Sequence, residues 1–129
     1  MRLWELSACE LAARIRRGEL RAEDVVSEVF QRIREREPRI HAYISLDEEG
    51  ALRKAREVDK KVARGEPVGV LAGVPVAVKD NICIKGGRTT CASKILEDFV
   101  SPYDATVIEK LKAADAVLLG KTNLDEFAV

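Results

Sequence analysis

Residues 71–82 read Leu71-Ala72-Gly73-Val74-Pro75-Val76-Ala77-Val78-Lys79-Asp80-Asn81-Ile82, and the fold turns on them. Val74, Val76 and Val78 alternate with Pro75, Ala77 and Lys79. β-Branched residues at a period of two make a strand. From Val68 to Val78 the chain carries no charge, so the pattern predicts a strand over 75–79 in a mostly buried sheet. The strand ends on Lys79. Alternation sends the next residue, Asp80, to the opposite face.

Working toward the C-terminus, residues 80–93 hold Gly86-Gly87 and a group of Thr and Ser, which predicts a loop. Asp104 is placed to cap a helix striped by Val107, Ile108, Leu111 and Ala114. Ala116 to Leu119 predicts a second buried strand, and Asn123 the start of another helix. Strand, helix, strand in that order implies an α/β layer architecture.

Toward the N-terminus the pattern is helical. Ser7 and Glu10 form a capping-box pair, Leu11 and Ile15 stack four apart, and Gly18 supplies the stop. Val25, Val26, Val29, Phe30 and Ile33 repeat at helical spacing over residues 22–37, with Glu23 and Asp24 in the first turn and Pro38 as terminator. Residues 42–46 predict a short strand. Residues 48–64 predict a third helix with Ala51, Ala55, Val58 and Val62 on one side, broken by Gly65 and Pro67. The expectation is one domain, with a helical lobe at 1–66 and the beginning of a sheet core at 67–129.

The totals narrow the function. Of 129 residues, 22 are Lys or Arg and 22 are Asp or Glu, so the net charge is zero. A basic nucleic-acid binder has a different balance, so RNA, if handled, is held by a local patch or another subunit. Three cysteines (Cys9, Cys83, Cys91) without a CxxC pair, and the single His41, match neither a disulfide framework nor a zinc site. Cys83 or Cys91 with His41 is a weak nucleophile pairing, since free cysteines are usually small buried hydrophobes. Gly86-Gly87 lacks the residues of a phosphate loop. The opening Met1-Arg2-Leu3-Trp4-Glu5 leads into charged residues, so no signal peptide or membrane span is expected, and the location expected is cytoplasmic.

Four segments in register carry a resemblance: 71–82 above, Gly87-Arg88-Thr89-Thr90-Cys91-Ala92-Ser93-Lys94, Pro102-Tyr103-Asp104-Ala105-Thr106-Val107, and Gly120-Lys121-Thr122-Asn123-Leu124-Asp125-Glu126-Phe127-Ala128. Together they resemble the amidase signature family over the whole chain. The 87–94 segment is similar to the form found in the A subunits of tRNA-dependent amidotransferases. The resemblance implies a mixed sheet covered by helices and a Ser–cis-Ser–Lys triad. One serine attacks the amide carbonyl, the second relays the proton, and the lysine is the base. Lys79 is the residue that matches the lysine. The two serines belong to a Gly/Ser-rich signature expected beyond Val129, so residues 1–129 alone are expected to be inactive.

The chemistry of Lys79 agrees with that role. A lysine is a base only when neutral, and its ordinary pKa is about 10.4. Weakly polar surroundings disfavour the ammonium, and the small apolar residues before Lys79 suit such a site. On pattern alone, a lysine at a strand exit is most often solvated. Lys121-Thr122-Asn123 either supports the active-site loop or supplies a cap to the following helix. Ala128 and Val129 fall where relatives form the rim of the substrate pocket. Val129 stands in place of a common methionine, and Asp115 in place of a glycine in the left-handed conformation.

For this subtype the resemblance implies glutamine hydrolysis. The ammonia passes to a B subunit that uses ATP and magnesium on misacylated Glu-tRNA(Gln) or Asp-tRNA(Asn), and a small C subunit braces the two. No cofactor is expected in this chain itself. The alternatives are a stand-alone small-amide amidase of the same superfamily, or a non-catalytic module whose helical lobe binds a partner.

Overall fold

The computed structural model describes residues 2–129. After a 3₁₀ turn at Leu3–Glu5 the elements run α1 (Ala8–Arg16), α2 (Ala22–Ile40), β1 (Tyr43–Leu46), α3 (Glu48–Ala63), β2 (Pro75–Lys79), α4 (Thr106–Ala113) and β3 (Val117–Thr122). Two further 3₁₀ turns lie at Lys94–Leu96 and Glu126–Ala128.

The three strands form one mixed sheet in the order β1-β3-β2. β2 pairs with β3 in parallel, joined by the crossover through α4, and β1 pairs with β3 antiparallel. The helical lobe thus contributes a strand to the sheet. Gly120 is required where β1 passes β3: a Cβ there would collide with the carbonyl of Ser45.

One apolar cluster joins helices and sheet: Ile15 of α1, Val25, Val26 and Phe30 of α2, Ala55 and Val58 of α3, Val74 beside β2, and Val117 and Leu119 of β3. Phe30 is almost wholly buried, which contributes about 2–3 kcal/mol. Alanines at 22, 51, 55 and 72 are also buried, and let the helices sit close to one another and to the sheet.

Several boundaries differ from the sequence reading, each for a local reason. α2 runs through Pro38 to Ile40 and stops at His41, which takes the left-handed conformation and donates its N–H to the Glu37 carbonyl at 2.9 Å. Proline costs one helical hydrogen bond but its φ suits a last turn. Glu37 then closes the corner by accepting from the N–H groups of Ala42 (2.8 Å) and Tyr43 (2.7 Å). The Ser7–Glu10 capping box forms on both sides. Asp104 does not cap α4. Ala105 holds that position without a side-chain bond, while Asp104 accepts from the Lys85 N–H (2.6 Å) and Lys112 Nζ (2.8 Å). β3 is longer than its apolar run and includes Lys121 and Thr122. No α-helix follows Asn123; its side chain bonds the N–H of Leu124 instead, and only the short turn at Glu126–Ala128 forms.

Asp115 follows α4 with φ 63°. It is buried, and its carboxylate takes the Gly69 N–H at 2.8 Å, Lys54 Nζ at 3.0 Å and Lys61 Nζ at 3.3 Å. Gly69 packs so tightly on the Ala114 backbone that no side chain fits there. An aspartate in a left-handed position is thus offset by contacts a glycine cannot make. Among the described residues, no helix is long and apolar enough to cross a membrane.

Candidate active site at the ends of β2 and β3

Because β2 and β3 are parallel, their C-terminal ends lie side by side, with Lys79 in register with Thr122. Open α/β sheets gather functional groups at such ends. The Lys79 carbonyl accepts the Ile82 N–H at 3.0 Å, so the chain turns away at once. The Lys79 side chain is exposed. The weakly polar surroundings expected for it are not supplied by residues 2–129, because β2 is covered on only part of its surface: Ala77 is exposed as well, while Val78 is buried.

Asp80 is turned the other way and is only 1% exposed. One carboxylate oxygen takes Lys121 Nζ at 2.8 Å. The other takes the Thr90 N–H at 3.0 Å and the Thr90 hydroxyl. Its backbone is engaged too: Asp80 N–H donates to the Thr122 carbonyl (3.1 Å), and its carbonyl accepts the Cys91 N–H (3.0 Å). Lys121 is 5% exposed, and also donates to the Arg88 carbonyl and the Thr89 hydroxyl, each at 3.4 Å. A buried ion pair is tolerated when its remaining hydrogen-bonding capacity is met, as it is here.

The loop held by this pair is unusual in its backbone. Cys91 and Ala92 have φ of 52° and 57°, and Phe127 and Ala128 have φ of 54° and 58°. Each costs on the order of 1 kcal/mol for a residue that is not glycine. The two segments hold each other: Phe127 N–H donates to the Cys91 carbonyl (2.9 Å), and the Ser93 hydroxyl donates to Glu126 Oε1 (2.7 Å). The Thr90 hydroxyl, besides donating to Asp80, accepts the Ala92 N–H at 3.1 Å. Strained non-glycine residues gathered at a strand end point to a functional site.

Nearby, the Ser101 hydroxyl is the main influence holding the Cys83 thiol below its ordinary range; partial burial opposes this, and Tyr103, Thr89 and Lys121 add to it. His41 lies elsewhere, at the junction of α2 and β1, so the Cys–His pairing is not assembled around Cys83. A recess of about 350 Å³ is lined by Asp80, Thr90, Ala92, Ser93 and Asn123, together with residues of β1. Among the described residues, no group of three or more His, Cys, Asp or Glu converges as a metal site.

The amidase family model matches residues 24–129. The chain belongs to the amidase family. It is 57% identical over 129 residues to the A subunit of glutamyl-tRNA(Gln) amidotransferase from Carboxydothermus hydrogenoformans, covering all of this chain and 27% of that protein. It is 54% identical to a second A-subunit form of the same enzyme, from Clostridium acetobutylicum, with the same coverage. The solved peptide amidase of Stenotrophomonas maltophilia superposes with a TM-score of 0.87 at 37% identity, over 95% of this chain and 26% of that one. The chain therefore spans about a quarter of the length of these relatives.

Within this amidase-family chain, Asp80, directly after Lys79, and the 126–128 turn are joined through the loop at 90–93. Ala128 and Val129 are exposed, next to Phe127, which bonds Cys91. Of the two readings of Lys121-Thr122-Asn123, loop support describes the geometry: Lys121 bonds residues 88 and 89, and neither Thr122 nor Asn123 caps a helix. Sequence reasoning placed Asp80 on the face opposite Lys79 but found no partner for it, and gave Thr90 no role beside it. The signal available was Lys121, one glycine beyond the apolar run 116–119, which needs a buried anion if its strand continues.

Proposed function

We propose that these residues are the N-terminal part of the glutamine-hydrolysing subunit of a tRNA-dependent amidotransferase, with Lys79 as the base of a Ser–cis-Ser–Lys triad. The observation that carries the reading is Lys79 at the end of a parallel strand, its neighbouring carboxylate drawn to the opposite side, in a chain 57% identical to such an A subunit. Neutral Lys79 accepts a proton from the bridging serine, which takes the proton of the attacking serine. The attacking oxygen bonds to the amide carbon of glutamine. The proton returns through the relay to the departing nitrogen, and ammonia leaves. Water then cleaves the acyl-enzyme by the same relay and releases glutamate.

Both serines lie outside residues 1–129, so this stretch is inactive alone and forms part of a single larger domain. The ammonia passes to a B subunit, which uses ATP and magnesium to activate the side-chain carboxylate of Glu-tRNA(Gln) or Asp-tRNA(Asn). A C subunit braces the complex. A stand-alone amidase is the second reading, favoured by the likeness to the peptide amidase. The higher identity to the A subunits argues for the first.

The test is ammonia release from glutamine by the polypeptide read to its own stop codon, assayed with its partner subunits. Lys79→Ala lowers kcat by about 10²–10⁴-fold if Lys79 is the general base. An unaffected variant, or a reading frame without a downstream serine-rich segment, overturns the assignment. Turnover of peptide amides in preference to glutamine selects the second reading.

A further inference from the structure

We infer that Asp80, Lys121 and Thr90 are positioning residues for Lys79: they clamp the end of β2 from behind and keep the adjacent carboxylate away from the catalytic amine. This rests on the catalytic reading of Lys79 given above.

Lys79 and Asp80 are neighbours in the chain, and a free aspartate beside a lysine attracts its ammonium and opposes deprotonation. Here both carboxylate oxygens are already committed. Lys121 Nζ holds one at 2.8 Å, and the N–H and hydroxyl of Thr90 hold the other. The Asp80 backbone is fixed at both its N–H and its carbonyl. The backbone of the residue after Lys79 is therefore tied to β3 and to the 88–93 loop, and this sets where the Lys79 side chain leaves the sheet.

Lys121 cannot substitute as the base, because it is buried against a carboxylate and donates to two further oxygens. Two lysines at adjacent strand ends have divided the work: the exposed one is available to substrate, and the buried one organises. The clamp also reaches the strained turn. Thr90 Oγ1 accepts from Ala92, and Cys91 joins the Asp80 backbone carbonyl to Phe127, so Asp80, through its carboxylate and its carbonyl, ties together the segments that carry four left-handed residues. Misplacement of a catalytic group by about 1 Å costs on the order of 10²-fold in rate, so a clamp of this kind is visible in kcat.

The test uses the complete polypeptide with Thr90→Val, Thr90→Ser and Lys121→Met, and Lys79→Ala as a separate control. Thr90→Val keeps the side-chain shape and the N–H but removes the hydroxyl from Asp80 and Ala92. The expected result is a kcat lower by about tenfold or more with KM within about twofold, and recovery to within about threefold in Thr90→Ser. Lys121→Met, where it folds, lowers kcat by about 10²-fold or more. A purely structural staple would shift the melting temperature and leave kcat of the folded protein unchanged. That result with Lys79→Ala inactive overturns this inference and leaves the role of Lys79 standing. A change confined to KM also overturns it, since it would place Thr90 in substrate binding. Full activity of Lys79→Ala instead removes the catalytic reading itself, and the inference with it.

Discussion

Asp59 of α3 caps α2 from outside: its two carboxylate oxygens accept the N–H groups of Ala22 at 2.6 Å and Glu23 at 3.0 Å. The local residue at that position, Arg21, offers no side-chain acceptor. The first turn of α2, where Ala22 is fully buried, is thus completed by a residue 37 positions away. An anion at a helix N-terminus also meets the positive end of the dipole. Asp59→Ala is expected to destabilise the complete polypeptide by about 1–2 kcal/mol, and Asp59→Asn by less. Hydrogen exchange of the Ala22 and Glu23 amides checks this; unchanged protection in Asp59→Ala would contradict it.

Asp115 should make stability sensitive to acid. Burial works to raise its pKa, but the Gly69 N–H and the Lys54 and Lys61 ammonium groups outweigh burial, and the carboxyl is held below its ordinary range. A depressed carboxylate contributes stability above its unfolded pKa, and that contribution is lost as pH falls through the lower folded value. The loss therefore belongs below about pH 4, and none of it falls between pH 5 and 8. Asp115→Asn, which tolerates the left-handed backbone, is expected to cost about 1–3 kcal/mol at pH 7 and to lessen the acid sensitivity. Urea midpoints of both forms at pH 7 and pH 3.5 decide it; an equal gap at the two pH values would be contrary.

Much of this fold is written in short-range pattern. The 75–79 strand, the Ser7 capping box and the apolar stripes of α2 and α3 depend on residues within a turn or two of each other. The misreadings share a cause. Asp104 reads as a helix cap, yet Lys85 and Lys112 compete for its carboxylate. Arg21 gives no hint that Asp59 completes its helix. Lys121 follows an apolar run, and only the partner Asp80, 41 residues earlier, explains how β3 continues through it. Lys79 was legible by position, while Asp80 and Thr90 depend on a loop whose path no local pattern sets.

Cys83 should be the reactive thiol despite its lesser exposure than Cys9. The Ser101 hydroxyl is first among the groups that lower the Cys83 pKa, and Lys121 adds a positive charge. A lowered pKa raises the thiolate fraction near neutrality. Iodoacetamide at pH 7.5 is expected to label Cys83 faster than Cys9, with the rate falling by about twofold or more in Ser101→Ala. Peptide mapping of the labelled protein measures this. Faster labelling at Cys9 would mean that access outweighs thiolate fraction here.

Residues 1–129 by themselves are expected to be marginally stable. With the order β1-β3-β2, the outer edges of β1 and β2 have no strand beside them among the described residues. Ile44 and Leu46 of β1 are 38% and 42% exposed, and Phe99, Val100 and Ile95 lie open on the 94–100 segment. Open strand edges beside apolar side chains favour pairing between copies. Light scattering and calorimetry on residues 1–129 should give self-association and a broad transition, and the complete polypeptide a sharper one at higher temperature. A monodisperse 129-residue monomer with a sharp cooperative transition would mean that the 15-residue apolar cluster suffices without further strands.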